Sequence, residues 1–330
     1  MDLLRQAKKL CEIYKITPSR SKGQNFLINE SVYTKIVQAA DLDKNDIVLE
    51  VGPGLGFLTA KLAKAVKRVI AVELDDKLAQ ALNDGLDAHG IRNVEVINED
   101  ILKIKHSVIL RELATEESII DPSSRPIKCG AELRMTKGYK IVANLPYNIT
   151  SIFLRKFLSE MEVKPESMTL LLQKEVAERI VAKPPRMSVL AVSVQFYAEP
   201  KIIRKVSNGN FWPSPKVDSA VIQLKVQSDF LNVILSGAKD LVNGAPDARF
   251  FPREMRGQND GEKKFFRLVK FGFSSKRRML KNNLAGGLKI SNEEAEKALA
   301  AIGLNPKIRA EGLSVDDWIK LLGELNKYMV

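Results

Sequence analysis

Residues 50–59 read EVGPGLGFLT, and the reading of this stretch decides the fold. It follows the apolar run DIVLEVG (46–52) and opens the helical pattern FLTAKLAKAV. The expected local structure is therefore a strand, a tight glycine turn and a helix start. Gly52, Gly54 and Gly56 let the backbone turn sharply and approach a ligand closely. A plain strand-to-helix turn would use the same residues, so the loop alone does not name a ligand.

Working outward, short apolar runs alternate with helical patterns from residue 30 to about 226, as in a mainly parallel sheet covered by helices. The predicted strands are DIVLEVG (46–52), RVIAVEL (68–74), VEVINED (94–100), YKIVANL (139–145) and SMTLLLQ (167–173), with LAVSVQFYA (190–198) and SAVIQLKV (219–226) closing the sheet. SVYTKIVQAADL and FLTAKLAKAV place apolar residues at helical spacing, as crossover helices require. Beyond residue 227 helical patterns dominate, notably EEAEKALAAIGL and DDWIKLLGELNKYM. The expected fold class is α/β, a Rossmann-like sheet over residues 1–226 with a small all-helical domain at 227–330. Residues 107–138 and 237–262 read as long irregular loops, of the kind that are usually functional or mobile.

Composition narrows the function. The 330 residues carry a formal net charge of +12 with a pI near 9.5, which suggests a polyanionic partner. KKFFRLVKFGFSSKRRMLK (263–281) holds eight Lys or Arg and no acid, interleaved with four Phe. It reads equally as a phosphate-gripping surface or as a helix with a solvated basic face and a Phe core side. The bases up to Lys22 favour nucleic acid, although charge does not separate RNA from DNA or a membrane surface. No apolar run approaches the roughly 18 residues of a membrane span. The N-terminus lacks the apolar core of a signal peptide. With only Cys11, Cys129, His89 and His106, neither a disulfide framework nor a metal site is expected, and a reducing, cytoplasmic setting is.

Spacing says more than the glycines. Glu73 lies 21 residues beyond Gly52, at the end of the next strand, where an acid accepts hydrogen bonds from a ribose diol in doubly wound folds. Asp100 follows at the end of the third. The order Gly-Pro-Gly-Leu-Gly departs from the Gly-x-Gly-x-x-Gly of dinucleotide binders and leans towards S-adenosylmethionine, which has no phosphate to seat. The fourth strand runs into Asn144-Leu145-Pro146-Tyr147. An adenine amine is a poor nucleophile because its lone pair is delocalised into the ring. The Asn144 side-chain oxygen and the Leu145 carbonyl could accept its two hydrogens and localise that lone pair. Pro146 stiffens the turn without adding a donor, and Tyr147 offers a ring on which a base can stack. The plain alternative is a strand-to-helix turn, with Asn144 as a cap and Tyr147 in the core.

In this respect the sequence resembles the ribosomal RNA adenine N6,N6-dimethyltransferases, in particular their bacterial small-subunit branch. SKGQNFLIN (21–29), EVGPGLGFLT (50–59), VIAVELD (69–75), NED (98–100), NLPYNIT (144–150), LLQKEVAERI (171–180), NFWPSPKVDSAV (210–221) and FSSKRRMLKNNL (273–284) carry the resemblance in the family's order. It implies that Asn25, Leu27, Gly52, Gly54, Glu73, Asp100 and Asn144 line an S-adenosylmethionine pocket. Glu73 would meet the ribose and Asp100 the cofactor adenine. Phe211 would sandwich a flipped adenine against Tyr147, repaying part of the cost of extracting the base. It also implies a substrate: two adjacent adenosines in the hairpin loop near the 3′ end of 16S rRNA, each receiving two methyl groups. Lys22, Lys263, Lys264, Arg267, Lys276, Arg277, Arg278 and Lys281 are the candidate phosphate contacts. No metal or membrane is implied, and a monomer is expected. The family's Tyr-Gly-Arg-Leu-Ser before the sixth strand stands here as Pro185-Arg186-Met187-Ser188, and segments 107–138 and 237–262 are longer than usual. Competing readings are the related large-subunit enzyme of macrolide resistance, an assembly factor that binds RNA without catalysis, and a nicotinamide dehydrogenase.

Overall fold

The structure is a computed structural model that describes residues 2–19, 23–104, 138–227 and 260–329. Lys22 and most of the segments 107–138 and 237–262 lie outside the described residues.

A seven-stranded sheet carries the first unit. Its strands, in chain order, are β2 (Ile47–Val51), β3 (Arg68–Glu73), β4 (Val94–Asn98), β5 (Lys140–Asn144), β6 (Ser167–Gln173), β7 (Ala198–Val206) and β9 (Ser219–Val226). Their spatial order is β4-β3-β2-β5-β6-β9-β7. β2 pairs in parallel with β3 and β5, β3 with β4, and β5 with β6, whereas β9 runs antiparallel to β6. Strand order therefore reverses between β2 and β5, the switch point at whose carboxyl ends open α/β sheets hold ligands. β2, covered on both faces, is nearly continuous in apolar residues. Val48, Val69, Val142 and Leu171 form a core with Ile36, Leu58 and Leu62 from helices α2 (Glu30–Ala39) and α3 (Thr59–Ala65) and the turn before α3.

Two short strands add a second sheet. β1 (Phe26–Leu27) pairs antiparallel with β8 (Phe211–Trp212), Leu27 opposite Phe211. Tyr33 of α2 donates its hydroxyl to the Leu27 carbonyl at 2.7 Å, tying β1 to the core. α1 (Leu3–Ile13), capped by Asp2, buries Ala7 and Cys11 and leaves Arg5, Lys8 and Lys9 exposed.

The compact units are residues 1–177 with 201–226, and residues 178–200 with 227–330. The stretch 190–198 corrects the sequence reading, because Val189–Gln195 is a helix and the strand is Ala198–Val206. Ser188 caps the Ala191 N–H at 3.2 Å, while the Gln195 amide donates to the Ile180 and Ala182 carbonyls at 2.7 and 2.8 Å. The Val-Ser-Val alternation imitates a half-buried strand, but the helix buries Ala191, Val192 and Val194 together. Residues 260–262, expected in a loop, form the first turn of helix Asp260–Gly272. That helix belongs to the second unit together with helices Leu280–Leu288, Asn292–Ala301 and Val315–Leu325. Capping boxes at Ser291/Glu294 and Ser314/Asp317 start two of them.

Candidate active site

The carboxyl ends of β2, β3, β4 and β5 surround a cavity of about 280 Å³. Gly52 and Gly54 form one wall with φ of +66° and +57°, in the left-handed region that favours glycine. A Cβ at Gly54 would come within 3.3 Å of the Phe26 ring, and one at Gly52 within 3.7 Å of the Asn144 carbonyl oxygen. The positive φ at both positions, and the close Phe26 ring at Gly54, favour glycine here.

Glu73 ends β3 with only 6% of its surface exposed. Its carboxylate accepts the Gly54 and Asp75 N–H groups, each at 3.0 Å. Burial pushes its pKa up, while those two backbone hydrogen bonds hold it down. Two N–H bonds leave lone pairs of both oxygens available to hydroxyl donors. Asp100 lies just beyond β4, its Oδ1 accepting the Leu102 N–H at 2.9 Å. Leu74, 62% exposed, lines the cavity with Ile101 and Phe26, providing apolar surface for a flat base.

Glu73, Asp75, Glu99 and Asp100 are among the lining residues, and no Lys or Arg is among those described. Such a wall repels the pyrophosphate of a dinucleotide and favours a cationic ligand. S-adenosylmethionine, with its sulfonium and ammonium charges, its ribose diol and its adenine, fits this donor set.

Asn144 ends β5 in the same cavity and donates its side-chain amide to the Asn25 carbonyl at 3.5 Å. The amide oxygen has no protein partner among the described residues. The cap alternative is excluded, since helix Thr150–Arg155 begins without a side-chain cap. A second cavity, of about 560 Å³, is lined by Tyr147, Gln173, Ser214, Pro215, Lys216 and Val217. Gly23, Asn25 and Asn148 line both cavities. The half-buried Tyr147 is pinned by a 2.8 Å hydrogen bond between its hydroxyl and Ser219 Oγ. Burial raises its pKa, so the phenol stays protonated near neutral pH. Pro146 packs where a Cβ on Gly23 would meet it at 3.2 Å.

Two expected residues lie elsewhere. Leu27, 1% exposed, points its side chain into the core, and its neighbour Phe26 lines the first cavity instead. Phe211, 4% exposed, is in the same core cluster and is absent from the wall around Tyr147. Pairing of β1 with β8 turns both side chains inward, and Trp212 stacks on Phe26 at 6.3 Å. The open sandwich of Tyr147 and Phe211 is not formed in this structure. Sequence reasoning missed Phe26, Leu74, Gln173 and Lys216. Only Leu74, an apolar residue exposed beside the ribose acid, carried a local signal.

The basic run divides between its two readings. Lys263, Arg267, Lys276, Arg277 and Arg278 are exposed. Lys264 pairs with Asp260 at 3.1 Å, Lys281 pairs with Glu296, and Arg267 lies 5.5 Å over the Phe271 ring. Phe265 is buried against Phe196, ring centroids 4.3 Å apart. Among the described residues no group of three or more His, Cys, Asp or Glu could hold a metal, and no helix is long and apolar enough to cross a membrane.

Residues 17–233 match the family described as ribosomal RNA adenine dimethylase. The chain is 40% identical to the ribosomal RNA small subunit methyltransferase A of Dehalococcoides mccartyi (strain CBDB1), covering 97% of this chain and 92% of that one. It is 34% identical to the protein of the same name from Alkaliphilus oremlandii (strain OhILAs), over 99% of both. Among solved structures, the dimethyladenosine transferase from Plasmodium falciparum aligns with TM-score 0.65 at 23% identity, covering 91% of this chain and 97% of that one. The 23S rRNA methyltransferase ErmE aligns with TM-score 0.62 at 25% identity, covering 92% of this chain and all of the other. The chain belongs to the ribosomal RNA adenine dimethylase family and is an rRNA adenine dimethyltransferase with S-adenosylmethionine as its cofactor.

Proposed function

We propose that this enzyme dimethylates N6 of two adjacent adenosines in the hairpin loop near the 3′ end of 16S rRNA. The observation that carries the mechanism is the Asn144 amide oxygen. It is unpartnered among the described residues of the strand tip that leads from the acid-lined cavity to Tyr147. When bound, S-adenosylmethionine supplies a methyl group already activated on a sulfonium. The protein's own part is positioning. Glu73 accepts the ribose hydroxyls, Asp100 accepts from the adenine amine of the cofactor, and Asn25 and Gly52 border the rest of the first cavity.

In the second cavity the target base stacks on Tyr147, whose ring is fixed by Ser219. Asn144 Oδ1 and the Leu145 carbonyl accept the two amine hydrogens and aim the nitrogen lone pair. Pro146 holds this turn rigid and brings no competing N–H. None of these groups is a base near neutral pH, and the amine's proton leaves to water. Phe211 supports β1, and through it Phe26, from within the core. The exposed Lys263, Arg267, Lys276, Arg277 and Arg278 grip phosphates, with Lys264 and Lys281 held in ion pairs beside them and Lys22 as a further contact. The enzyme works as a monomer in the cytoplasm.

The higher identity to relatives named for the small subunit, 40% against 25% for the 23S enzyme, favours the small-subunit target. Incubating small subunits that lack the modification with the protein and S-adenosylmethionine, then mapping nuclease fragments by mass spectrometry, tests this. Dimethyladenosine at two neighbouring positions near the 3′ end is the expected product. Modification of large-subunit rRNA alone would overturn the target. Subunit binding without any methylation would overturn the catalytic assignment.

A further inference from the structure

Lys156 is a lysine that no part of the amine clamp uses. It follows helix Thr150–Arg155, the helix that the Asn-Leu-Pro-Tyr tip leads into. Its ammonium donates to three backbone carbonyls, of Ile101 at 3.0 Å, Leu102 at 2.8 Å and Ile104 at 2.7 Å. The turn holding those carbonyls is organised at its other end by Asp100. The Asp100 carbonyl accepts the N–H groups of Lys103 and Ile104 at 2.8 and 3.1 Å, and its Oδ1 accepts that of Leu102. One turn of chain is thus capped at the N–H end by Asp100 and at the carbonyl end by a single cation.

Three carbonyl dipoles aimed at one point repel each other unless a multiple donor sits among them. An ammonium, with three donors pointing in different directions, suits that task better than a planar guanidinium. Burial lowers the Lys156 pKa, while Asp100, Glu160 and Glu99 raise it. The acids around it thus favour the charged form that makes these bonds.

We infer that Lys156 is a positioning residue for cofactor recognition: it clamps the 101–104 turn so that the Asp100 carboxylate meets the adenine amine of the cofactor. The inference rests on the reading of Asp100 as the adenine contact. It also joins the two halves of the site, because the helix that follows the amine clamp leads directly to the residue that fixes the adenine-reading turn.

The test measures binding of S-adenosylhomocysteine and of S-inosylhomocysteine, in which an oxo group replaces the 6-amino group. A carboxylate only accepts hydrogen bonds, so Asp100 discriminates against the oxo group. Titration calorimetry of the full-length wild type, Lys156→Met, Lys156→Gln and Asp100→Asn supplies the comparison. Lys156→Met is expected to weaken S-adenosylhomocysteine binding about tenfold through misplacement of the turn. It should also erase most of the wild type's preference for the amino compound, while KM for RNA stays unchanged. Lys156→Gln, which keeps two donors, should fall between, and it is the variant to measure if Lys156→Met does not fold. Undiminished discrimination in the folded variants, even with a lowered Tm, would reduce Lys156 to a structural lysine and leave the Asp100 reading intact. A wild type that does not discriminate, with Asp100→Asn binding like it, would overturn the Asp100 reading and the inference together.

Discussion

At the scale of single residues, the tip of β5 separates binding from chemistry. Among the described residues the Asn144 side chain makes one long hydrogen bond, through its amide nitrogen, so removing it disturbs little packing. Asn144→Ala should lower kcat about 100-fold through lost orientation of the amine, with S-adenosylhomocysteine affinity unchanged within about threefold. Single-turnover methylation and calorimetry on the same preparation read the two effects. Unchanged turnover would remove the clamp. Glu50, in the glycine-loop strand, gives a second residue-level prediction. It is 1% exposed, and its Oε2 has no partner among the described residues. Burial pushes its pKa up from 4.5 to about 8, with the Glu73 charge adding. Between those values the native chain holds this proton and the unfolded chain does not. The contribution to stability is therefore full below 4.5 and is lost as pH rises towards 8. Glu50→Gln, an isostere of the neutral acid, should unfold like the wild type near pH 4. At pH 9 it should be more stable by an amount on the order of a few kcal/mol. A flat difference between the two urea-unfolding profiles across this range would refute the buried neutral carboxyl.

At the scale of elements, close packing sets what the helices tolerate. In the second unit, helix Asp260–Gly272 ends against Trp318 of helix Val315–Leu325, and Trp318 is 0% exposed. A Cβ on Gly272 would lie 2.2 Å from the Trp318 ring, so the ring or the helix would have to shift. Gly272→Ala should therefore destabilise this unit by about 1–3 kcal/mol despite alanine's better helix propensity. Chemical denaturation is the measurement, and a stabilised variant would show that the contact yields freely. One strand and one helix show how far local patterns can be read. SMTLLLQ was legible as a strand because both of its faces are buried and it is continuously apolar. LAVSVQFYA was misread because alternating valines satisfy a strand period, while the Ser188 cap and the Gln195 amide decide for helix. The Ser188 cap is local, but the Gln195 bonds to Ile180 and Ala182 are invisible without that partner segment.

At the scale of the whole molecule, the net charge of +12 favours association with RNA through release of counterions. The exposed turn at Lys276, Arg277 and Arg278 concentrates part of that charge. Replacing Arg277 and Arg278 by Glu should weaken RNA binding and shallow the salt dependence of log Kd by about one to two phosphate contacts. Cofactor affinity should be unchanged. Filter binding at several salt concentrations decides it, and an unaltered slope would make the turn a solvated surface only.

The sequence by itself determined the α/β class, the glycine turn, Glu73, Asp100 and the Asn-Leu-Pro-Tyr tip, because these signals are local. Each lies at the end of its own apolar run, and strand ends are where such sheets bind ligands. Only the tertiary structure decided which neighbours share a wall. Leu27 and Phe211 are drawn into the core by a two-strand pairing between segments far apart in the chain. Phe26 reaches the cofactor cavity because β1, distant in the chain from β2 and β3, lies beside their carboxyl ends. Lys156 finds the carbonyls of residues 101–104 across a sequence gap that no periodicity spans. Hydrogen bonds and burial between distant segments depend on chain crossings, and residue patterns along one segment do not encode them.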